Sequence, residues 1–206
     1  MSIVKLNNRG IRSATAVGTT TQLGDMVFIK KLTASSSATL SFVDGSSDVV
    51  LDDTYKEYVF TFKNIHAATD GAEFQFNLSA DTGSNYNVTK TTTMFYAYQT
   101  ESGSSTSLSY DGNLDLAQST SDQIIMENLG NGNDENGSGY LHLFNPSSTT
   151  FVKHFISRGI RNGSADYCVD YYMAGYGNTT SAVDAIQFKM SSGNIDAGDI
   201  CLYGIN

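Results

Sequence analysis

Hydrophobic and polar residues alternate along short runs through most of the chain. In one such run, Tyr58, Phe60 and Phe62 occupy every second position. A period of two residues places alternate side chains on opposite faces of a β-strand. Turn-forming segments rich in Gly, Ser, Asn, Asp and Thr separate the runs, and the pattern predicts about eight to ten strands. The runs before the C-terminal region cover residues 38–43, 58–65, 72–78, 92–99, 123–129, 139–144, 151–156 and 166–173.

No window contains an apolar stripe with the 3.6-residue period of a convincing helix, so the sequence predicts an all-β fold. Strands with one wet face favour a two-sheet antiparallel β-sandwich, most simply a jelly-roll-like one. An up-and-down barrel is the competing architecture. The residues predicted to form the core are Phe60, Phe62, Phe74, Phe76, Ile186, Phe188 and Leu202.

The C-terminal region contains two more runs. Ile186, Phe188 and Met190 alternate with polar residues, a Gly-rich turn follows, and a second run covers residues 199–205. Alternation, a turn and a closing apolar run predict an antiparallel hairpin with one buried face.

The length of 206 residues suits one large sandwich, and no Pro-rich or charged linker divides the chain. We expect a single β-sandwich domain over residues 13–206 and an N-terminal arm over residues 1–12. The arm either docks on a partner or forms an edge strand of the chain's own sheet. Its apolar residues are Ile3, Val4, Leu6 and Ile11.

The charge balance narrows the choice of partners. The formal net charge is −9, and the 12 Lys and Arg residues are scattered, so we expect no nucleic-acid partner. No apolar run approaches the roughly 20 residues needed to cross a bilayer, and the start of the sequence lacks the apolar region of a secretory signal. We therefore expect no membrane partner and synthesis in a cytoplasm. Cys168 and Cys201 lie in predicted strands and are expected to be buried free thiols.

The residues that usually carry catalysis form no familiar arrangement. His66, His142 and His154 do not have the spacing of a metal site. There is no Gly-x-Ser-x-Gly elbow and no phosphate-binding Gly loop that opens a helix. We expect the histidines to be satisfied surface or core residues, and we expect a protein that is not an enzyme and has no resident cofactor.

One segment carries oxygen-bearing side chains at every second position, namely Asp111, Asn113 and Asp115. This spacing resembles the opening of the calcium loop of an EF-hand. That loop also requires Gly at its sixth position and Glu at its twelfth, where this chain has Leu116 and Asp122. The segment is therefore either a Ca²⁺-binding turn or a solvated hairpin turn.

Tyrosine is abundant, with 12 Tyr residues and no Trp. In a strand, Tyr167 and Tyr171 share one face and Tyr172 lies on the other, so one core cannot absorb them all. Tyr suits protein interfaces and sugar stacking alike. We predict an interface that includes Tyr167, Tyr171, Tyr172 and Tyr176, with ordinary sandwich residues as the alternative.

Five blocks of the sequence, which together span nearly the whole chain, carry a family resemblance. They are residues 4–13, 32–42, 55–76, 79–86 and 186–205. These blocks resemble virion structural proteins of tailed phages, those of marine cyanophages in particular. The resemblance implies a place in a virion, either on the tail as a fibre or baseplate-associated part or on the capsid as a decoration. It brings no catalytic residues.

The sequence has neither the heptads nor the 20 to 50 residue period of a fibre shaft. We therefore expect a compact tail-associated module, with capsid decoration as a cement or head-fibre protein as the alternative. A carbohydrate-binding module or lectin-like adhesin is the second alternative. The expected partners are other virion proteins and further copies of this chain, as a cyclic trimer, because virion parts occupy symmetric positions. A host-surface glycan is a further candidate partner.

Overall fold

The computed structural model describes residues 25–163 and 166–206. This part of the chain forms twelve β-strands and no helix, so it has no helix that could cross a membrane. The strands are β1 (Met26–Ser37), β2 (Thr39–Val43), β3 (Glu57–Ala67), β4 (Ala72–Ser79), β5 (Lys90–Thr100), β6 (Thr106–Tyr110), β7 (Gln123–Leu129), β8 (Gly137–Phe144), β9 (Lys153–Gly163), β10 (Tyr167–Gly177), β11 (Ala185–Met190) and β12 (Ile195–Ile205).

The strands form two antiparallel sheets. The larger sheet has eight strands in the order β1-β12-β3-β8-β9-β10-β5-β6, and the smaller sheet has four in the order β2-β11-β4-β7. Side chains from the inner faces of both sheets form the shared core. The predicted all-β, two-sheet antiparallel sandwich is confirmed.

Eight of the strands pair as a jelly roll requires. β1 pairs with β12, β2 with β11, β3 with β8, and β4 with β7. The first four of these strands thus pair in reverse order with the last four, as if one long hairpin were rolled into two sheets. The up-and-down barrel is excluded, because most neighbours within each sheet are not consecutive along the chain.

Two inserted strand pairs enlarge one sheet. β5 and β6 lie between β4 and β7 along the chain, and β9 and β10 lie between β8 and β11. In space all four strands extend the larger sheet beyond β8. The larger sheet therefore presents an outer face about twice as wide as that of the smaller sheet, at roughly 4.8 Å per strand.

Phe188 of β11 lies at the centre of the core. Its ring centroid is 5.5 Å from that of Phe60 and 5.3 Å from that of Phe62, both on the opposite sheet. Its ring also stacks with Phe74 of its own sheet at 5.8 Å. Aromatic pairs at these separations stabilise a core beyond the area that they bury. All seven predicted core residues are at most 2% exposed: Phe60, Phe62, Phe74, Phe76, Ile186, Phe188 and Leu202.

The predicted C-terminal hairpin is wrong, although both of its strands exist. β11 belongs to the smaller sheet, whereas β12 belongs to the larger one, where it pairs with β1 and β3. The connecting turn contains Gly193, whose φ of 67° lies in the left-handed region that glycine adopts without strain. Each strand buries one face in the shared core, so the alternation is the same whether two strands pair or face each other across the core.

Two strands have no clear counterpart in the hydrophobic pattern. β1 begins with Met26, Val27, Phe28 and Ile29, so apolar residues fall on both of its faces. β6 is a short strand at the edge of the larger sheet, and it contains two Ser, one Thr and only two large hydrophobic residues. β1 therefore lacks simple alternation, whereas in β6 Leu108 and Tyr110 alternate with serines but are themselves exposed.

The arm predicted for residues 1–12, with Ile3, Val4, Leu6 and Ile11, lies outside the described residues. Its docking role stays a prediction.

Candidate functional site

The outer face of the larger sheet is unusually apolar. Within residues 25–163 and 166–206, nine large hydrophobic side chains are exposed, and eight of them lie on this face. The ninth, Phe151, lies in the loop before β9 and is 68% exposed. We call the surface formed by these eight residues the apolar face: Met26, Phe28, Phe95, Leu108, Tyr110, Tyr140, Ile156 and Ile160.

Strand register shows that these residues share one face of the sheet. In antiparallel pairs, directly opposed residues point to the same face. One row of opposed residues crosses all eight strands through Lys31, Cys201, Thr61, Tyr140, Arg158, Tyr172, Phe95 and Tyr110.

An aromatic stack lies near the middle of the apolar face. Phe95 of β5 and Tyr172 of β10 stack with ring centroids 4.9 Å apart and an interplanar angle of 3°. Arg158 of β9 lies on the opposite side of Tyr172 from Phe95, and its guanidinium carbon is 4.9 Å from the centroid of the Tyr172 ring. A cation at this distance from an aromatic ring is attracted to it. Phe95, Tyr172 and Arg158 therefore form one ordered cluster.

Asp170 fixes the position of Arg158. Arg158 Nε donates to Asp170 Oδ1 at 2.9 Å, and Nη2 donates to Oδ2 at 2.6 Å. These hydrogen bonds and the carboxylate charge raise the pKa of Arg158 above its usual value, so the guanidinium stays charged. A bidentate pair of this kind sets orientation as well as distance.

A shallow cavity of about 260 Å³ lies between this cluster and β8 and β9. Phe95, Tyr140, Ile156 and Tyr172 contribute to its wall, and the small side chain of Ala174 contributes to its floor. The volume is just below the roughly 300 to 1,000 Å³ of typical small-molecule sites. An apolar cavity of this size suits the anchoring side chain of a protein partner.

Two acidic groups on this face form salt bridges with basic groups, and a third is hydrogen-bonded to a histidine. Lys31 Nζ lies 3.2 Å from Asp199 Oδ2, in addition to the Arg158 and Asp170 pair. His142 Nδ1 of β8 is hydrogen-bonded to Glu57 of β3. The acidic excess of the chain therefore lies mainly elsewhere, and the apolar face carries little net charge.

The four predicted interface tyrosines do not share one surface. Tyr172 and Tyr176 lie on the outer face of the larger sheet, since they oppose Arg158 and His154 in the register. Tyr171 is only 1% exposed. Its inclusion in an interface is wrong, because its side chain packs between the sheets.

Polar groups hold Tyr171 inside the protein. Its hydroxyl accepts a hydrogen bond from Arg161 Nε at 3.2 Å and donates to Glu127 Oε1 at 3.4 Å. Burial raises the pKa of Tyr171. Tyr167 is half-buried on the same side of the sheet, and its ring packs 5.4 Å from that of Tyr98.

The three residues of the calcium candidate make local contacts. Asp111 Oδ1 accepts a hydrogen bond from the backbone N–H of Asn113 at 2.9 Å, and Asp115 accepts one from the Tyr110 hydroxyl. Within the described chain, no group of three His, Cys, Asp or Glu side chains is placed to hold a metal ion. The segment connects β6 of the larger sheet to β7 of the smaller one, so the hairpin alternative is wrong. Ca²⁺ binding here stays a prediction.

Two histidines have polar partners. His66 Nε2 lies 3.0 Å from the carbonyl oxygen of Gly132, and its Nδ1 lies 3.4 Å from Asp196. His142 is hydrogen-bonded to Glu57.

The prediction that both thiols are buried is wrong for Cys168, which is exposed, whereas Cys201 is buried; both are free.

Sequence reasoning missed most of the apolar face. The available signal was in β9, where His154, Ile156, Arg158 and Ile160 alternate with Phe155 and the small or polar residues of the inner face. In the usual antiparallel pattern the solvent-facing positions of a strand are polar, and a strand with isoleucines at those positions departs from it.

No family model matches the chain, and no curated protein and no solved structure is significantly similar to it.

Proposed function

We propose that this protein is a non-enzymatic structural component of a tailed-phage virion, most directly a tail-associated module that acts by assembling with further copies of itself. The resemblance of five sequence blocks to virion proteins supports the location. The observation that carries the assembly is the concentration of eight of nine exposed large hydrophobic side chains on one sheet face, within the described chain.

The size of the apolar face supports a protein partner. Its members are about half exposed, and a large aromatic side chain presents roughly 150 to 250 Å². Four of the eight members are aromatic, and the other four are aliphatic and somewhat smaller. Together they expose about 700 Å², which approaches the roughly 800 Å² that each partner buries in a standard interface.

Charge supports a second copy of this chain as the partner. Two copies with a net charge of −9 each repel one another. On the apolar face, salt bridges of Asp170 with Arg158 and of Asp199 with Lys31 reduce that repulsion. A cyclic trimer stays a prediction that comes from the symmetry of phage appendages.

Capsid decoration is the alternative location, since it requires the same stable sandwich and docking surface. Cryo-EM of the intact particle tests the proposal. We expect density for this fold at a symmetric position on the tail, with the outer face of the larger sheet covered by a neighbouring copy. Density on the capsid lattice would replace the tail location with decoration. The proposal would be refuted if the particle showed no density for this protein, or if the apolar face were open to solvent in the particle.

The N-terminal arm gives a second test of virion docking. Its apolar residues are interleaved with Lys5, Arg9 and Arg12 in an otherwise acidic chain, and such a segment is usually held by a partner. Deletion of residues 1–12 should leave a folded domain that no longer enters particles. Circular dichroism checks the fold and immunoblotting of purified particles checks incorporation. Normal incorporation of the deletion variant would contradict the docking role.

A further inference from the structure

Lys90, the first residue of β5, is completely buried. Its Nζ donates to Asn77 Oδ1 at 2.5 Å and to the carbonyl oxygen of Val88 at 2.9 Å. Among the described residues, no carboxylate forms a salt bridge with it. Buried lysines without an adjacent counter-charge are rare, because burial disfavours the charged form.

The carboxamide of Asn77 in β4 is held at all four of its hydrogen-bonding positions. Its Oδ1 accepts from Lys90 Nζ and from the backbone N–H of Leu78 at 2.9 Å. Its Nδ2 donates to the carbonyl oxygen of Thr120 at 3.0 Å and to Asp122 Oδ1 at 2.9 Å. The two partners of one carboxamide atom are donors and the two partners of the other are acceptors, so the first atom is the oxygen and the second is the nitrogen.

Three segments bring these groups together. The backbone N–H of Lys90 donates to the carbonyl of Ser119 at 2.7 Å, and the N–H of Ser119 donates back to the carbonyl of Lys90 at 3.0 Å. These bonds place Asp122 beside β5. The N–H of Val88 donates to the carbonyl of Leu78 at 3.2 Å, which holds the approach to β5 against β4.

The electrostatics favour an amine nucleophile. Burial lowers the pKa of Lys90 to about 8, and the negative charge of Asp122 offsets part of this effect. A substantial fraction of Lys90 is therefore neutral in mildly alkaline solution, and a neutral amine is the nucleophilic form. The second oxygen of Asp122 lies 2.7 Å from Lys189 Nζ.

We propose that Lys90 and Asn77 join in an intramolecular isopeptide bond, with Asp122 as the proton carrier. The Nζ lone pair attacks Cγ of Asn77, and the carbonyl electron pair moves onto Oδ1, where the Leu78 N–H stabilises it. The attack bonds Nζ to the carbon that carries Nδ2, and Asp122 Oδ1 already accepts from Nδ2 at 2.9 Å. Asp122 takes the proton that Nζ loses in this tetrahedral adduct and passes it to Nδ2. The Cγ–Nδ2 bond then breaks and one ammonia molecule leaves. The net reaction exchanges one amide for another, so it needs no oxidant, reductant or cofactor.

Lys153 provides a control within the same fold. Lys153 and Lys90 both oppose Gly177 of β10, one on each side of it, and both are completely buried. Lys153 Nζ donates to the backbone carbonyls of Phe151 at 2.7 Å and Thr179 at 3.1 Å. Backbone carbonyls offer no carboxamide that can release ammonia, so Lys153 should stay an amine.

The bond would tie the two sheets covalently, because Asn77 lies in the smaller sheet and Lys90 in the larger one. This inference does not depend on a virion location, since its chemistry involves only groups within the chain.

The test is the mass of the purified, folded protein after incubation above the Lys90 pKa of about 8. We expect a mass lower than that of the sequence by one ammonia. Tryptic digestion should show no cleavage after Lys90. Cleavage before Asp81 by a protease specific for Asp separates Asn77 from Lys90, and fragment ions should show the two resulting peptides joined. Bond formation should speed up as the pH rises towards 8 and level off above it, because the neutral fraction of Lys90 follows that course.

Variants assign the roles. Asn77→Ala and Lys90→Met should keep the full mass expected from their sequences, and Asp122→Asn should slow the loss of ammonia while circular dichroism stays that of the wild type. The matched control, Lys153→Met, should still lose ammonia if it folds. Asn-Gly sequences such as Asn136-Gly137 also release ammonia when they form succinimides, but succinimides open in alkaline solution and join no second peptide. A folded wild type that keeps its full mass, or a mass loss without the joined peptides, would overturn the proposal.

Discussion

The outer faces of the two sheets differ sharply in chemistry although they cover the same core. On the smaller sheet, Gln187 Nε2 donates to Ser41 Oγ at 3.0 Å, and Gln75 Nε2 donates to Glu73 Oε2 at 2.9 Å. None of the exposed large hydrophobic residues in the described chain lies on that face. The smaller sheet follows the usual antiparallel pattern of one buried and one solvated face, and the larger sheet does not.

The position of this difference suggests a reason for it. The inserted strands β5, β6, β9 and β10 lie only in the larger sheet, and five of the eight members of the apolar face come from β5, β6 and β9. The core does not require apolar side chains on these outer positions. The inner faces of the insertions extend the core through residues such as Met94, Phe155 and Met173, and we infer that their outer faces supply a contact surface.

The largest expected effect comes from the core that the two sheets share. Phe188→Ala should lower the free energy of unfolding by about 3 to 5 kcal/mol, because it removes a ring that contacts both sheets and leaves a cavity. Urea denaturation measures it. The neighbouring Gln187→Ala on the solvated face is the control and should change stability by no more than about 0.5 kcal/mol. A loss below about 1 kcal/mol for Phe188→Ala would contradict the central position of this ring.

The next effect separates the two outer faces. Tyr172→Ala should weaken self-association by about 2 kcal/mol or more, roughly 30-fold in the dissociation constant, because it removes the centre of the aromatic cluster. Sedimentation equilibrium measures this change, and Gln187→Ala on the other face should leave association unchanged. Equal association of wild type and Tyr172→Ala would show that the contact lies elsewhere.

Tyr171→Ala sharpens the same comparison, since Tyr171 is adjacent in sequence but lies in the core. Its main effect should be on the free energy of unfolding.

The smallest effect concerns the positioning of Arg158. Arg158→Lys keeps the charge but loses the two-point contact with Asp170 and the flat contact with Tyr172. The pair is exposed, so the free energy of unfolding should change little. Association should weaken by less than in Tyr172→Ala. Thermal unfolding and sedimentation measure the two quantities, and an association loss larger than that of Tyr172→Ala would make Arg158 the main anchor.

Much of the fold could be predicted because most strands bury one face. The run 123–129 matches β7 residue for residue, and every predicted core residue is buried. The pairing of the terminal strands could not be predicted, because alternation reports which residues face the core and not which strand lies beside which.

The candidate sites were harder to predict for the same reason. Alternation put Tyr171 and Tyr172 on opposite faces, but nothing in the sequence identified which face was buried. Lys90 and Asn77 come from different sheets, and their contact depends on how those sheets pack. Burial of a lysine is not visible in a linear pattern.

Light scattering of the isolated protein across micromolar concentrations tests assembly through the apolar face most directly. We predict a homo-oligomer for the wild type and a folded monomer for an Ile156→Asp and Ile160→Asp double variant, because two carboxylates cannot be buried in that contact without a large desolvation cost. Circular dichroism confirms that the variant folds. A wild type that stays a clean monomer over this range, or a double variant that assembles as the wild type does, would contradict assembly through this face.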